Sequence, residues 1–408
     1  MTVDALPVEE ALARILDGLR PLPAEIVPLT DGLGRVLAEP VVARLTQPPF
    51  ANAAMDGWAV RSADLASASE DRPVRLRRIG ESAAGNAYAG TVGPQETVRI
   101  FTGAPMPDGA DAVVMQEDAR DLGDAVELVH PVQAGRFVRP AGLDFQAGTV
   151  LLPAGRRLTA RDVGLAAAAG WPWLRVRRRP RVAILPTGDE VALPGEPLGP
   201  HQIVSSNAIA LAAMVATQGG IAVNLGIAAD EAGRLSDLAA GAAGADLLVT
   251  SGGAAAGAHD HVRGLLDGPP VVSRVAMRPG GGLVFGWTGG VPLLGLPGNP
   301  VSTGIAAVLF LIPILRALQG LPPGPVVGTA TLGAPLRANP GRRDHIRARL
   351  EVALSGSAVA TPLDRQDNAQ MSGFAAADAL IVRPAGAPAG KAGAVVEIIA
   401  LSGGCLDL

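Results

Sequence analysis

Three apolar runs in the middle of the chain each stop at a glycine-rich loop, and this repeated junction limits the fold more than any other feature. Arg181–Leu185 runs into Pro186-Thr187-Gly188-Asp189-Glu190, Asp246–Thr250 into a loop from Ser251 to Asp260, and Val291–Leu294 into Gly295-Leu296-Pro297-Gly298-Asn299-Pro300. Short continuous apolar runs suit strands buried on both faces of a parallel sheet. With crossover helices between them, their loops gather at the carboxyl ends of the strands, where ligands bind. Glycine lets the backbone approach a ligand and aim N–H groups at it, and helix N-termini add positive partial charge, so phosphate or another oxyanion is the expected guest. Carboxylates beside a phosphate repel it unless a divalent cation stands between, and Mg2+ suits oxygen ligands of this kind. Asp189, Glu190, Asp230 and Asp260 are the candidates. Asp189 or Glu190 has a second reading, as a cap on the helix expected to follow.

Around this α/β segment, from 179 to 321, the sequence changes texture. Residues Pro7–Leu19 carry Ala11, Leu12, Ile15, Leu16 and Leu19 at helical spacing, with Glu9 and Glu10 in the first turn. Thr159–Ala169 is a second helical patch, with Thr159 as N-cap and Gly170 as stop. The two helices are expected to pack together in a discontinuous domain, 1–43 plus 146–178. Between them, 44–145 reads as a β-rich domain, with runs such as Thr97–Phe101, Ala112–Met115 and Ala125–Val129 separated by turns. After Leu321-Pro322-Pro323 the short β runs return, and 322–408 reads as a small C-terminal β domain of barrel-like form. The five arginines of Arg175–Arg181 suit either an anion patch or a solvated link between domains, and the link is the better reading.

Composition narrows the function. A net charge of −4 and a pI near 5.8 give no broad basic face, so nucleic acid is not an expected partner. The single cysteine, Cys405, excludes an intramolecular disulfide and suits a reducing cytoplasm, and Asp4, Glu9 and Glu10 stand where a secretory signal needs basic residues. The apolar stretch Val301–Leu318 contains Pro313 and follows a glycine loop, so it reads as a buried helix and no membrane is expected. Lys391 lies outside any Gly-Lys-Ser/Thr phosphate loop, and Gly80-Glu81-Ser82 has no strand–turn–helix around it to make a nucleophile elbow. His259 and His261 read as solvated residues flanking a useful Asp260. Arg274 and Arg278 precede a Pro-Gly turn and suit a clamp on a tetrahedral oxyanion, with exposed edge arginines as the other reading.

Several motifs together resemble the molybdopterin molybdenumtransferase family, MoeA in bacteria and the gephyrin E domain in animals. They are Ala54-Met55-Asp56-Gly57-Trp58-Ala59, Phe101-Thr102-Gly103-Ala104-Pro105, Gly109–Val114, Pro186–Glu190, Ser251-Gly252-Gly253 with Asp260, and Leu296–Pro300. The resemblance spans essentially the whole chain. It implies four domains, a homodimer and a reaction in which adenylated molybdopterin is hydrolysed with Mg2+ while molybdate enters its dithiolene, releasing AMP. It also implies roles. Asp260, Asp56, Thr102 and Glu190 would be catalytic, with Asp56 and Thr102 reaching in from the partner. Thr187, Gly188, Asp189, Ser251, Gly252, Gly253, Pro297, Gly298 and Asn299 would hold the pterin phosphate or AMP. Arg274, Arg278 and Arg342 would hold molybdate or phosphate, and Asp189, Glu190, Asp230 and Asp260 the metal. A MogA-like adenylyltransferase and apo-molybdoenzymes would be further partners.

The chain departs from that pattern at Pro279-Gly280-Gly281-Gly282, where a lysine is usual, and at Ser205-Ser206-Asn207, where an aspartate is usual. Ala255-Ala256-Gly257 and the segment around Asn368–Gly373 differ as well. These changes leave two alternatives to the enzyme, a paralogue that binds or delivers molybdopterin without turnover and an interaction scaffold on the same fold.

Overall fold

The computed structural model describes residues 5–229, 232–253, 261–324, 327–339, 341–352 and 358–401. Asp230, His259, Asp260 and Cys405 lie outside the described residues, as does Ala255-Ala256-Gly257.

The three apolar runs form adjacent strands. The central sheet has the order Ile221–Asn224, Arg181–Pro186, Leu247–Ser251, Val291–Leu296, Val284–Thr288. Its first four strands are parallel and the last is an antiparallel edge. Every residue of Leu247–Ser251 is buried, as a middle strand covered on both faces requires. Alternation divides the side chains between two cores. Val182, Ile184, Leu247 and Val249 meet the helix Asn207–Thr217 and the long helix beginning at Pro300, whereas Ala183, Leu185 and Leu248 meet Leu235 and Ala239 of the helix Ala232–Ala239.

The long helix, Pro300–Leu318, is apolar enough to cross a membrane by length and composition, but 83% of its apolar window is buried inside the protein. It is the core helix that the sequence suggests. Pro313 has no N–H to give and its ring crowds the carbonyl four residues earlier; the chain answers with a π-helical turn at Ala307–Leu311.

The opening helix is Val8–Asp17, and Val8, Ala11 and Ile15 are buried. They join the core around the long helix, not the helix Ala160–Ala168, whose Ala166 packs with Val27, Leu37, Leu174 and Val176. The expected packing of these two helices on each other is therefore corrected. Both have an apolar face, but Leu6 ties the first to the central domain through hydrogen bonds with Arg274 and Ala276. The second helix has the foreseen Thr159 cap, made reciprocal by Asp162, and its core surrounds the antiparallel pair Ala24–Pro28 and Trp173–Arg177. The arginine run beyond it is structural: Arg175 pairs with Glu39, Arg177 donates to the Leu22 carbonyl, and Arg178 holds Asp246 through both terminal nitrogens.

The β-rich domain is a six-stranded sheet, and Ser82 is buried in it with its hydroxyl on the Pro105 carbonyl, unlike a nucleophile. The C-terminal domain is a closed barrel. Arg343–Val352, Ala358–Pro362, Val327–Leu332, Val395–Ala400 and Ala379–Arg383 pair in that order, and the last pairs back onto the first. Met277–Arg278 of the central domain adds a parallel strand to Arg343–Asp344, which seats the barrel against the central sheet.

Phe374 of the barrel domain packs on Gly304, where a Cβ would fall 2.4 Å from its ring. Gly304→Ala raises helix propensity by about 1 kcal/mol, yet overpacking costs about 1–3 kcal/mol. We expect the substitution to be net destabilising; a raised urea midpoint at unchanged m-value would show that Phe374 yields freely.

Candidate functional site

The parallel register sets Pro186, Ser251 and Leu296 side by side at one end of the sheet. The loops that follow line one cavity of about 640 Å³, a cradle walled by Thr187–Gly188, Ser251–Gly253 and Pro297–Asn299. The loops close together because glycine allows it. Gly252 has φ +96°, and a Cβ there would lie 2.5 Å from the Thr187 carbonyl oxygen. In this tight packing the Thr187 hydroxyl is buried and has no hydrogen-bond partner among the described residues.

Two of the glycine amides, those of Gly188 and Gly252, do not point freely into the cavity as the sequence suggests. Gly188 N–H donates to the Ala228 carbonyl at 3.1 Å and Gly252 N–H to that of Leu296 at 3.2 Å. Strand-end backbone groups must be paired where they are buried, and the neighbouring strands claim them first. Hydroxyls at these positions then gain weight as donors to a ligand.

Of the carboxylates, Glu190 lines the cradle and Asp189 does not. Glu190 folds back over Gly188, where any side chain would collide with its carboxylate. The capping reading fails for both, because a short strand, Val191–Ala192, follows them in place of a helix. Among the described residues no group of three potential ligands surrounds a metal position.

A second cavity, about 720 Å³, adjoins the first, and Asn299 and Ala369 line both. Its walls come from Arg278 and Pro279 of the central domain, from Asp344, His345 and Arg347 of the barrel, and from the 366–369 loop. Arg278 does reach the cavity, but its guanidinium grips the carboxylate of Asp344, with Nε to Oδ1 at 2.7 Å, and that hydrogen bond raises its pKa further. Arg274 and Arg342 line neither of these two cavities. The barrel arginine at the cavity is Arg347, five residues on, on the strand face turned toward the central domain. It is 1% exposed, and its terminal nitrogens donate to the carbonyls of Arg365, Asp367 and Gln370. Burial pushes its pKa down and the charge of Asp367 opposes this.

Asp56 and Thr102 stand together on the β-rich domain. Asp56 Oδ1 accepts from the Thr102 N–H at 2.7 Å and from its hydroxyl at 2.8 Å, and the backbone bond above all holds the carboxyl below the ordinary aspartate value. Neither residue lines the two cavities of its own chain. Sequence reasoning missed Asn207 and Arg347. A buried arginine at a core-facing position of the run His345–Leu350 was a usable signal for the second, whereas nothing local marked the first.

These features define a multi-domain α/β protein with a glycine-loop cavity at the carboxyl ends of a parallel sheet, beside a second cavity walled by a β-barrel. Residues 6–170 match the MoeA N-terminal region (domain I and II), 183–317 a probable molybdopterin binding domain, and 329–401 the MoeA C-terminal region (domain IV). A molybdopterin molybdenumtransferase of Nostoc sp. is 41% identical over 74% of this chain and 70% of its own length. That of Bacillus subtilis is 32% identical over 97% of this chain and 94% of its own. The crystal structure of a molybdopterin biosynthesis MoeA protein from Pyrococcus horikoshii OT3 superposes with a TM-score of 0.85 at 28% identity, covering 97% of this chain and 100% of that one. The chain belongs to the molybdopterin molybdenumtransferase family, transferases of molybdenum cofactor biosynthesis.

His345 is 2% exposed at the wall of the second cavity, and neither ring nitrogen makes a hydrogen bond among the described residues. Burial, helped by the charge of Arg343, pushes its pKa down to about 4, which the Arg278 backbone only partly opposes. Between an unfolded value of 6.5 and about 4 the unfolded chain therefore binds the extra proton, so stability falls as pH drops through this window. We expect His345→Phe to lose less stability than the parent between pH 7 and 5, by about 2 kcal/mol at most. Denaturant titrations at the two pH values measure this, and parallel losses would contradict it.

Proposed function

We propose that this chain carries out the molybdenum insertion step: it takes adenylated molybdopterin, cleaves the phosphoanhydride to release AMP, and lets the two dithiolene sulfurs displace oxygen from molybdate. The observation that carries the reading is the convergence of the 187–188, 251–253 and 297–299 loops on one cavity that opens onto a second one. The size and hydroxyl lining of the first support a phosphate-bearing ligand, and the adjoining second supports a separate small oxyanion beside it.

In this reading the Ser251 and Thr187 hydroxyls hold phosphate oxygens, and Pro297–Asn299 forms the opposite wall. Mg2+ would be held by Glu190 with Asp230 and Asp260, hard oxygen ligands of the right kind, and when bound it would neutralise the phosphoanhydride charge. Asp189, outside the cradle, stays a candidate only at the edge of that set. Arg347, not Arg342 or Arg274, supplies the positive charge behind the molybdate position, since Arg278 is already matched by Asp344. Asp56 and Thr102 act from the partner in a homodimer, with Asp56 as an ionised carboxylate oriented by Thr102. A dithiolene needs reducing surroundings, so the working compartment is the cytoplasm, and a MogA-like adenylyltransferase upstream and apo-molybdoenzymes downstream are the natural partners.

The delivery-paralogue reading rests on one observation. At Gly281, where the family resemblance leads to the expectation of a lysine, a Cβ would lie 2.3 Å from the Val275 carbonyl oxygen, so this backbone has no room for that cation. Incubation with adenylated molybdopterin, Mg2+ and molybdate separates the two. We expect AMP release together with reconstitution of an apo-molybdoenzyme, both abolished by Asp260→Asn with the fold intact. Retained ligand with no AMP formed would favour delivery, and unchanged release in the variant would remove Asp260 from the mechanism.

A further inference from the structure

Asn207, the first residue of the helix Asn207–Thr217, joins two of the three cradle loops through one amide group. Its Nδ2 donates to the Gly298 carbonyl at 2.7 Å and to Ser251 Oγ at 2.8 Å. A carbonyl can only accept, so the nitrogen must face Gly298; chemistry fixes the amide orientation, and both of its N–H groups are spent.

The consequence falls on Ser251, which is 3% exposed on the cradle wall. Its oxygen receives a hydrogen bond, so its own proton is left to be given away, and among the described residues it meets no acceptor. The Gly188 and Gly252 amides are already occupied by the Ala228 and Leu296 carbonyls, and Thr187 N–H by the Ser251 carbonyl. With these three amides engaged, hydroxyls become donors to the cradle, and Thr187 supplies a second, buried and unpartnered among the described residues. The same amide bonds across the place where the two loops come close, a Cβ on Gly298 standing 3.6 Å from the Gly252 Cα.

We infer that Asn207 is a positioning residue: by occupying the Ser251 oxygen it turns this hydroxyl into a donor aimed at a phosphate oxygen of the ligand, and by gripping Gly298 it holds the opposite wall at the matching distance. The inference rests on the phosphate-cradle reading above. It goes beyond that reading in giving Asn207 a role exerted through Ser251 and not by touching the ligand.

A double-mutant cycle on the full chain tests it, with AMP as probe in the presence of Mg2+ and calorimetry as readout. A hydrogen bond to a charged oxygen supports about a tenfold loss when removed, so Ser251→Ala and Asn207→Ala are each expected to weaken AMP binding about tenfold. Because one acts through the other, the double variant should also lose about tenfold, not the hundredfold of independent sites. Additive losses at unchanged melting temperature would overturn the positioning role while leaving the cradle in place. No AMP binding by the parent protein would overturn the cradle reading and this inference with it. Should Asn207→Ala unfold, Asn207→Asp keeps the shape but draws the Ser251 proton to itself. It should bind AMP no better than Ser251→Ala does, and parent-like affinity would refute the inference.

Discussion

The buried strand Leu247–Ser251 holds this structure in register. It hydrogen-bonds to Arg181–Pro186 on one side and to Val291–Leu296 on the other, both parallel, so the three chains must end at the same level. A parallel ladder leaves no freedom to slip by one residue, because the apolar faces would then exchange cores. Ser251, Thr187 and Pro297 meet because the sheet has no other way to bury Leu248 against Leu235 and Val249 against the long helix. The cradle is thus a by-product of core packing, fixed before any ligand is considered.

The second cavity depends on a different constraint, the seating of the barrel. Its outer contact is a two-residue parallel pairing at Met277–Arg278, reinforced by the Arg278–Asp344 pair. The inner contact is apolar, with Phe374, Leu380 and Val382 in the same core as Ile305 and Phe310. His345 and Arg347 share that strand face, which explains why both are buried although both are polar. A buried guanidinium is tolerated only when its donors are met, and the carbonyls of the 365–370 loop meet those of Arg347. Arg347 therefore shapes the cavity wall and charges it at the same time.

Much of this was legible in the sequence, for reasons that show where legibility stops. The three glycine loops, the β-rich segment, the Thr159 cap and the buried long helix follow from local patterns with local causes. The address of the opening helix did not, because an amphipathic face says that a helix packs and not on what; Leu6 decides that through a bridge to a segment some 270 residues away. A family motif points to the neighbourhood of Arg342, while strand alternation decides that Arg347 is the side chain that lines this cavity. Asn207 was passed over as part of an altered motif. Its meaning lies in two partners 44 and 91 residues distant in sequence, and no local rule encodes such a bond.

The pairing of the glycine amides changes how the cradle should be understood. Phosphate sites on glycine loops are usually ascribed to free backbone N–H groups, but here neighbouring carbonyls have taken those of Gly188 and Gly252. What glycine contributes is the absence of a Cβ, and with it the close approach of one loop to the next. Hydroxyls then share in donation, and those of Thr187 and Ser251 meet no acceptor among the described residues in this buried wall. Leaving a buried hydroxyl unpaired costs about 1–3 kcal/mol, a cost that the folded core bears and that a ligand oxygen would relieve on arrival. A donor left unsatisfied in this way is already oriented when the ligand comes, so binding needs little reorganisation there.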